Sequence, residues 1–526
     1  MATGIIFNRG EGGAGRQQPG NDYISGLLFS QTELPSGFGA SDRIKKVTTL
    51  AEAEALGIVD THADETKATG GNIEITAAGA AGDVWTATIT PAGQSSILLG
   101  TYTEVASDTT ILIATGLFNA INSLTGTHGF TATNSVASNV AIVAPDKYGA
   151  SLNASGLTAG SSGAGTETIT QFTGGVGSEI AINHYHISEF FAIAEKLTGL
   201  AQGILYVGIY ASYDGTQVDL MRDYASGDIR QLGVFLPDTY ASSQVTASQS
   251  AADRANAVYS PMHIMLAADF SATTLSALAS QRTLSSNSVT VCISEDSDGE
   301  GGRLAGVEGF SITTLGASLG AVAQASVHEN IGWRQKFNMI HSRKRSVIVQ
   351  TNPFNELEVL AFATGEAYDL QSAATITSLT EYGYLFMVKD IGITGSFHNN
   401  APTSTLITSD YAFIPNNRVI GKAERLVYQN LEPKILAPLY VNAETGYLSE
   451  ATISDFKNDA FKALENMAAN GEINTNSDGE LPANSVVIDP EQDVRSTGTV
   501  ELTIRIVDVL FAETITVNIG FAVSIQ

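Results

Sequence analysis

Several stretches place chemistry-bearing residues at spacings that known reactions use. Gly10-x-Gly12-x-x-Gly15 follows a short apolar run and has the spacing of a dinucleotide-binding turn. That turn works because a helix opens at the third glycine and aims its N-terminus at a pyrophosphate. Here Gln17-Gln18-Pro19-Gly20 follows, which forbids such a helix, so the segment reads as a loop. Gly316-Ala317-Ser318-Leu319-Gly320 has the pattern of a nucleophile elbow, after an expected strand, Phe310 to Thr314, and before a helix. A hydrolase also needs a later acid and histidine, for which Asp369, Asp390 and His398 are available. The run of small residues, Gly316, Ala317, Ser318, Gly320, Ala321 and Ala323, suits close helix packing as well. Asp296-Ser297-Asp298-Gly299-Glu300-Gly301 starts like a calcium loop, but Val307 stands where the bidentate glutamate belongs. The reading is a solvated acidic turn. His184 and His186 alternate on a strand-like stretch without an evident third ligand. His328-Glu329 opens like a zincin helix, with Gly332 in place of the second histidine. Convergent support for an enzyme, a metal or a cofactor is lacking, and the expectation is a non-enzyme with none.

The elements that would position such residues are bounded by composition. The chain has 526 residues, which suggests about three domains. Only 15% are charged, against about 25% in ordinary domains, and 51 are glycine. A hydrophobic fraction of 43% supports large cores. Acids outnumber bases 54 to 27, for a net charge of −27. That argues against binding nucleic acid or an anionic membrane, since both need a basic face. The single cysteine, Cys292, excludes an intrachain disulfide framework and a cysteine-based zinc site. No apolar run reaches the ~18–20 residues of a membrane span. The opening Met1 to Arg9 is too short and polar for a signal peptide, so folding in a cytoplasm is expected. A poorly charged, acidic chain of this size can have much of its surface covered by copies of itself.

Along the chain, residues 1–29 read as a short strand, Ile5 to Asn8, followed by loop composition: a frayed tail or an arm that docks elsewhere. Residues 67–174 are poor in charge and rich in Thr, Ala, Gly and Ser. Asn72–Thr76, Val84–Thr90, Gly129–Thr133 and Val136–Ala144 read as strands, and Asp108–Leu124 as a helix capped by Asp108. Ser161 to Gly165 reads as a linker closing this inserted β-rich domain. Residues 30–66 and 175–395 form an α/β domain. In it a helix, Ser188–Leu197, precedes the apolar runs Gly203–Tyr210, Gln231–Leu236, His263–Ala267 and Ser288–Ile293 of a mostly parallel sheet. Residues 396–526 hold two helices, Asn417–Glu432 and Ser449–Ala469. Two strands of strict period two follow, Val500–Ile506 and Ile515–Ile525. The fold class is α+β with an α/β layered domain.

Several separated strings resemble the contractile tail sheath family of bacteriophages and contractile injection systems. They are Asn8-Arg9-Gly10-Glu11-Gly12-Gly13, Asp22 to Phe29, Ser326 to Trp333 with Lys336-Phe337-Asn338, Gly383-Tyr384-Leu385-Phe386, and Ser409 to Ile414. Asn416 to Ala423, Val487 to Val494 and the closing strand pair complete the series, in order and at matching spacing. Gly421 stands where the family pattern has an acid, which puts a local ion pair in doubt. The resemblance implies a multi-domain tail-sheath-like architecture with extended N- and C-terminal strand arms. Ile5, Ile6 and Phe7 would form one inter-subunit strand. Ile515, Val517, Ile519, Phe521, Val523 and Ile525 would form the other. Each arm would add to a sheet in a neighbouring subunit. It also implies a helix gripping the inner tube, here 449–469, with Lys457 and Lys462 on the tube-facing side. Partners would be further copies in a helical homo-polymer, the tail tube protein, and baseplate and terminator proteins. The location would be a virion tail or injection particle, assembled in the bacterial cytoplasm. Two rivals stand beside this: an α/β hydrolase using Ser318, and a surface-layer or adhesin-like structural protein suggested by the Thr/Gly/Ala-rich insertion.

Overall fold

The computed structural model describes residues 21–59, 68–90, 96–133, 138–144, 152–153, 156–175, 179–343, 354–492, 494–513 and 515–517. A seven-stranded sheet is its centre. The strands are β1 (Ser25–Ser30), β2 (Ile44–Val47), β3 (Leu205–Tyr210), β4 (Gln231–Thr239), β5 (His263–Asp269), β6 (Val289–Cys292) and β7 (Tyr384–Leu385). Their spatial order is β7-β6-β5-β4-β1-β3-β2. All pairings are parallel except that of β3 with β2. β1 is therefore interior, with Leu27 opposite Val207 on one side and Gly233 on the other. This corrects the reading of residues up to 29 as an arm. Ser-Gly-Leu-Leu-Phe-Ser is buried at every position, as a strand covered on both faces must be. Ile5, Ile6 and Phe7 lie outside the described residues.

Helices cover both faces. α1 (Glu179–Thr198), α2 (Thr216–Tyr224), α3 (Ser242–Asn256), α4 (Glu300–Glu308) and α5 (Leu315–Gln324) are the main ones. Val218 and Met221 of α2 and Val245, Ala251 and Ala252 of α3 pack with Leu28 on one face. α1 and α5 pair beneath the other, with Leu315 reaching β4 at Gly233. α1 begins nine residues before the expected Ser188 and takes in the His184–His186 stretch that reads as strand-like. The misreading has a cause: α1 is buried nearly all round, so its sequence carries no one-sided stripe. Phe310–Thr314 is likewise no strand, making only a bridge from Thr313 to Glu295. α5 is buried along its whole length and carries no charge. A Cβ on Gly316 would stand 2.1 Å from the His186 carbonyl oxygen, and one on Gly320 2.9 Å from that of Phe190. The small residues are there so that two helix backbones can touch.

Residues 69–173 build two smaller sheets, a four-stranded and a three-stranded one, and a Thr69–Thr173 bridge pairs the entering and leaving chain. Their own core centres on Trp85, Phe130, Phe172 and the inner face of the helix Thr110–Ser123. Thr109, not Asp108, caps that helix, and Asp108 instead accepts from the Tyr102 hydroxyl at 2.8 Å. The Ser161–Gly165 run is not a closing linker. It turns the chain from the strand Gly156–Ser161 of one sheet to Thr166–Thr170 of the other.

The chain divides into two compact units. One runs to Gln324 and resumes from Ile331 to Phe413; the second comprises Ala325–Asn330 and the residues from Ile414. In the second, α6 (Ile414–Leu431) and α7 (Glu450–Ala469) pack around Val419, Ala423, Ala460, Leu464 and Met467. Ser449 caps α7 through the Thr452 amide, as its sequence position implies. A two-stranded sheet, Val486–Ile488 with Leu502–Ile504, closes this core. The expected strand 500–506 is thus shorter.

Gly316→Ala should destabilise the protein by about 2–3 kcal/mol. Gly320→Ala should cost less, because its Cβ is less hindered. Urea unfolding midpoints of the two variants test the order.

Candidate functional site

The structure brings one sequence-predicted pair together. Ser318 Oγ on α5 and His398 Nε2 on the short strand Phe397–His398 share a hydrogen bond of 2.9 Å, both buried. Its surroundings oppose nucleophilic chemistry. Burial holds the His398 imidazole down to about 3, the Arg334 guanidinium adds to the drop, and a backbone hydrogen bond at Ile331 partly offsets it. A base so weak takes no proton from serine near neutral pH. A triad orients and stabilises its imidazolium with a carboxylate. Here the candidate acids are engaged elsewhere, Asp390 by Arg334 at 2.5 Å and Asp369 by Lys389 at 3.6 Å. The pair fastens α5 to the segment around residue 398.

The two histidines of α1 point to different partners. His184 Nε2 meets Glu54 at 3.1 Å. His186 Nδ1 accepts the Gly316 amide at 3.3 Å, and its ring lies 4.8 Å from Phe235 and 5.9 Å from Phe29. Burial lowers its pKa to about 3 against the pull of Glu189. His328 and Glu329 sit in a turn and not on a zincin helix. Among the described residues no group of three or more His, Cys, Asp or Glu is placed to hold a metal.

The Asp296–Gly301 stretch departs from the solvated turn expected of it, because Asp296 is fully buried. Its carboxyl accepts the Leu357 amide at 2.9 Å and hydrogen-bonds the carboxyl of Glu356. Glu356 in turn accepts the Glu300 amide at 3.0 Å, and Glu300 pairs with Arg303 at 2.9 Å. Burial, then the Glu356 carboxyl, raises the Asp296 pKa well above the carboxylate range, so the pair retains a proton. Neighbouring Glu295 is pushed up to about 8 by burial, with a backbone hydrogen bond at Ile312 opposing and Asp269 adding. Nothing in the spacing of these carboxyls announces their burial.

In the second unit, Lys422 forms a buried ion pair with Glu472 at 2.6 Å. The acid absent at Gly421 is thus supplied from beyond the end of α7. Lys422 shares the buried face of α6 with Arg418, Val419 and Ala423, and that company was the available sequence signal. Lys457 is half-buried at the flank of the apolar stripe of α7, whereas Lys462 is exposed. Five residues at about 100° each set them about 140° apart, so they do not share a face. Ile515 and Val517 lie in no strand and are 79% and 74% exposed. Ile519, Phe521, Val523 and Ile525 lie outside the described residues. Val507 and Leu510 are also exposed, so an apolar surface runs along the described end of the chain. No helix among the described residues is long and apolar enough to cross a membrane.

Residues 410–526 match the family described as DUF2586, C-terminal domain. No curated protein matches the chain. Among solved structures the chain is similar to one in the cryo-EM structure of the anti-feeding prophage (AFP) baseplate, 6-fold symmetrised. That match has 14% identity and a TM-score of 0.39, covering 60% of this chain and 76% of that one. It is also similar to one in the cryo-EM structure of the AFP helical sheath in contracted state, at 14% identity and a TM-score of 0.40, covering 60% and 78%.

Ser318→Ala should cost about 1–3 kcal/mol, the penalty of leaving a buried histidine nitrogen unpaired. It should leave turnover of generic esters at the background of the wild-type protein, measured side by side. Glu295 holds its proton in the folded chain up to about pH 8 and loses it near 4.5 when unfolded. Its raised pKa means that stability present below 4.5 declines as pH rises through 8. Glu295→Gln should therefore gain stability relative to wild type between pH 5 and pH 9, read from urea midpoints at both values.

Proposed function

We propose that the chain is a structural subunit of a contractile tail sheath, in a phage tail or an injection particle. It polymerises helically around an inner tube and contracts to drive that tube through a target envelope. The observation that carries this reading is the apolar C-terminal stretch. Val507, Leu510, Ile515 and Val517 are exposed, and the alternation continues in sequence to Ile525. A strand of this composition is stable only when paired, and the sheet Val486–Ile488/Leu502–Ile504 is a two-stranded ribbon, marginal by itself. Strand addition between subunits answers both needs. Main-chain hydrogen bonds supply affinity, and alternating side-chain pockets set the register. The N-terminal Ile5, Ile6 and Phe7 would make the reciprocal contact. A head-to-tail contact whose rotation does not close generates an open helix of subunits. The ordered strings that resemble the sheath family, from Asn8 to Val494, support the same reading.

The mechanism is mechanical. Extended sheath would be metastable, and a trigger at a baseplate would let subunits pass into a wider packing with more buried surface. The arms would keep neighbours linked while the bodies move. Packed interfaces with two discrete arrangements can store the few kcal/mol per subunit that this requires. The tube-facing part would be α7, with Lys462 on its exposed side. The hydrolase alternative has the Ser318–His398 contact in its favour and lacks the acid, the basic imidazole and the exposure. The surface-layer or adhesin alternative rests on the composition of residues 67–174.

Deleting residues 1–8, or residues 515–526, should abolish polymerisation and leave a folded monomer. Negative-stain images and sedimentation of the purified proteins check this: hollow striated tubes from either truncation would defeat the arm reading.

A further inference from the structure

The chain passes between the two compact units at three points, after Gln324, after Asn330 and after Phe413. Beside each of them stands an arginine whose guanidinium gathers main-chain carbonyl oxygens of its own unit. Arg418, buried on α6, donates to the carbonyls of Ala325 at 3.1 Å and Ser326 at 3.3 Å. Arg334 donates to Gly332 at 2.8 Å and His398 at 2.5 Å, while holding Asp390. Arg282, buried, donates to Thr403 at 3.2 Å, Thr405 at 3.3 Å and Ala412 at 3.2 Å, and lies over the Phe413 ring at 5.9 Å from its centroid.

The chemistry of these sites is specific. Irregular segments leave carbonyls that no ladder satisfies, and burying them unpaired is costly. A guanidinium offers five donors in a rigid planar fork and stays charged, so it can tie several carbonyls of different residues at once. Lysine keeps the charge but lacks the fork.

We propose that Arg282, Arg334 and Arg418 are clamps that fix the chain on its own unit right up to each passage. Flexing between the units is then confined to Gln324–Ala325, Asn330–Ile331 and Phe413–Ile414. Hinges of this kind are a few residues at element ends, and rigid flanks are what keep them short.

Hydrogen exchange of the full-length monomer, followed by mass spectrometry, tests it with Arg282→Lys, Arg334→Lys and Arg418→Lys. Arg282→Lys should speed exchange at least tenfold in residues 403–412, where Thr403 donates to Ala412 at 3.0 Å. Arg334→Lys should do the same at 396–399 and Arg418→Lys at 325–330, with the amides of β1 unchanged in all three. Digestion with a nonspecific protease should cut each variant in its own segment and leave wild type intact there. Unchanged exchange in the named segment overturns the clamp. So does a loss of protection that spreads to β1, since the claim is that each clamp acts locally.

Discussion

The contact on which most of the first unit rests is the approach of α5 to α1. Gly316 leaves no room between its own backbone and the His186 carbonyl. That proximity sets the rest. It lets α5 lie under β4 with Leu315 against Gly233, and places the Gly316 amide on His186 Nδ1. It turns Ser318 towards His398 and so fastens α5 to a strand from the far end of the unit. The imidazoles are held neutral by burial, which suits hydrogen bonds between uncharged groups and not proton transfer. One run of small residues therefore accounts for the packing of a motif whose spacing looks catalytic.

How much of this was legible depended on whether a segment faces water. The continuous apolar runs at 205–210, 231–236, 263–267 and 289–292 were readable as strands because both faces of their sheet are covered. The helix 450–469 was readable because one side of it is solvated. α1 was not, since a helix buried all round has no stripe to read. β1 was missed for another reason. Six residues beside a Gly-rich loop look like the end of a tail until strands some two hundred residues later give them neighbours. The acidic cluster was misread because Asp-Ser-Asp-Gly is loop composition, and only the fold decides that Asp296 faces Glu356 and not solvent. Of the candidate site, the Ser318–His398 pairing was readable as a possibility of residue types. The Arg334 guanidinium on the His398 carbonyl was not, because its place depends on the turn around Arg334.

Charged residues are few in this molecule, and several of the basic ones are buried. Lys422 with Glu472, and Arg282 and Arg418 on backbone carbonyls, are buried cations in a chain with few basic residues. Breaking such a group apart from its partner costs more than an exposed ion pair gains. These residues fix irregular segments that neither helix nor sheet would hold.

The interior position of β1 has a consequence for synthesis. Its partners β3 and β4 begin at Leu205 and Gln231, so an N-terminal segment that belongs in mid-sheet stays unpaired until the ribosome has passed both. At ~5–20 residues per second that interval is on the order of ten seconds or more. Topology of such long sequence separation folds slowly and leaves an apolar strand open to mispairing meanwhile. A nascent chain built this way would profit from a chaperone that shelters its first thirty residues.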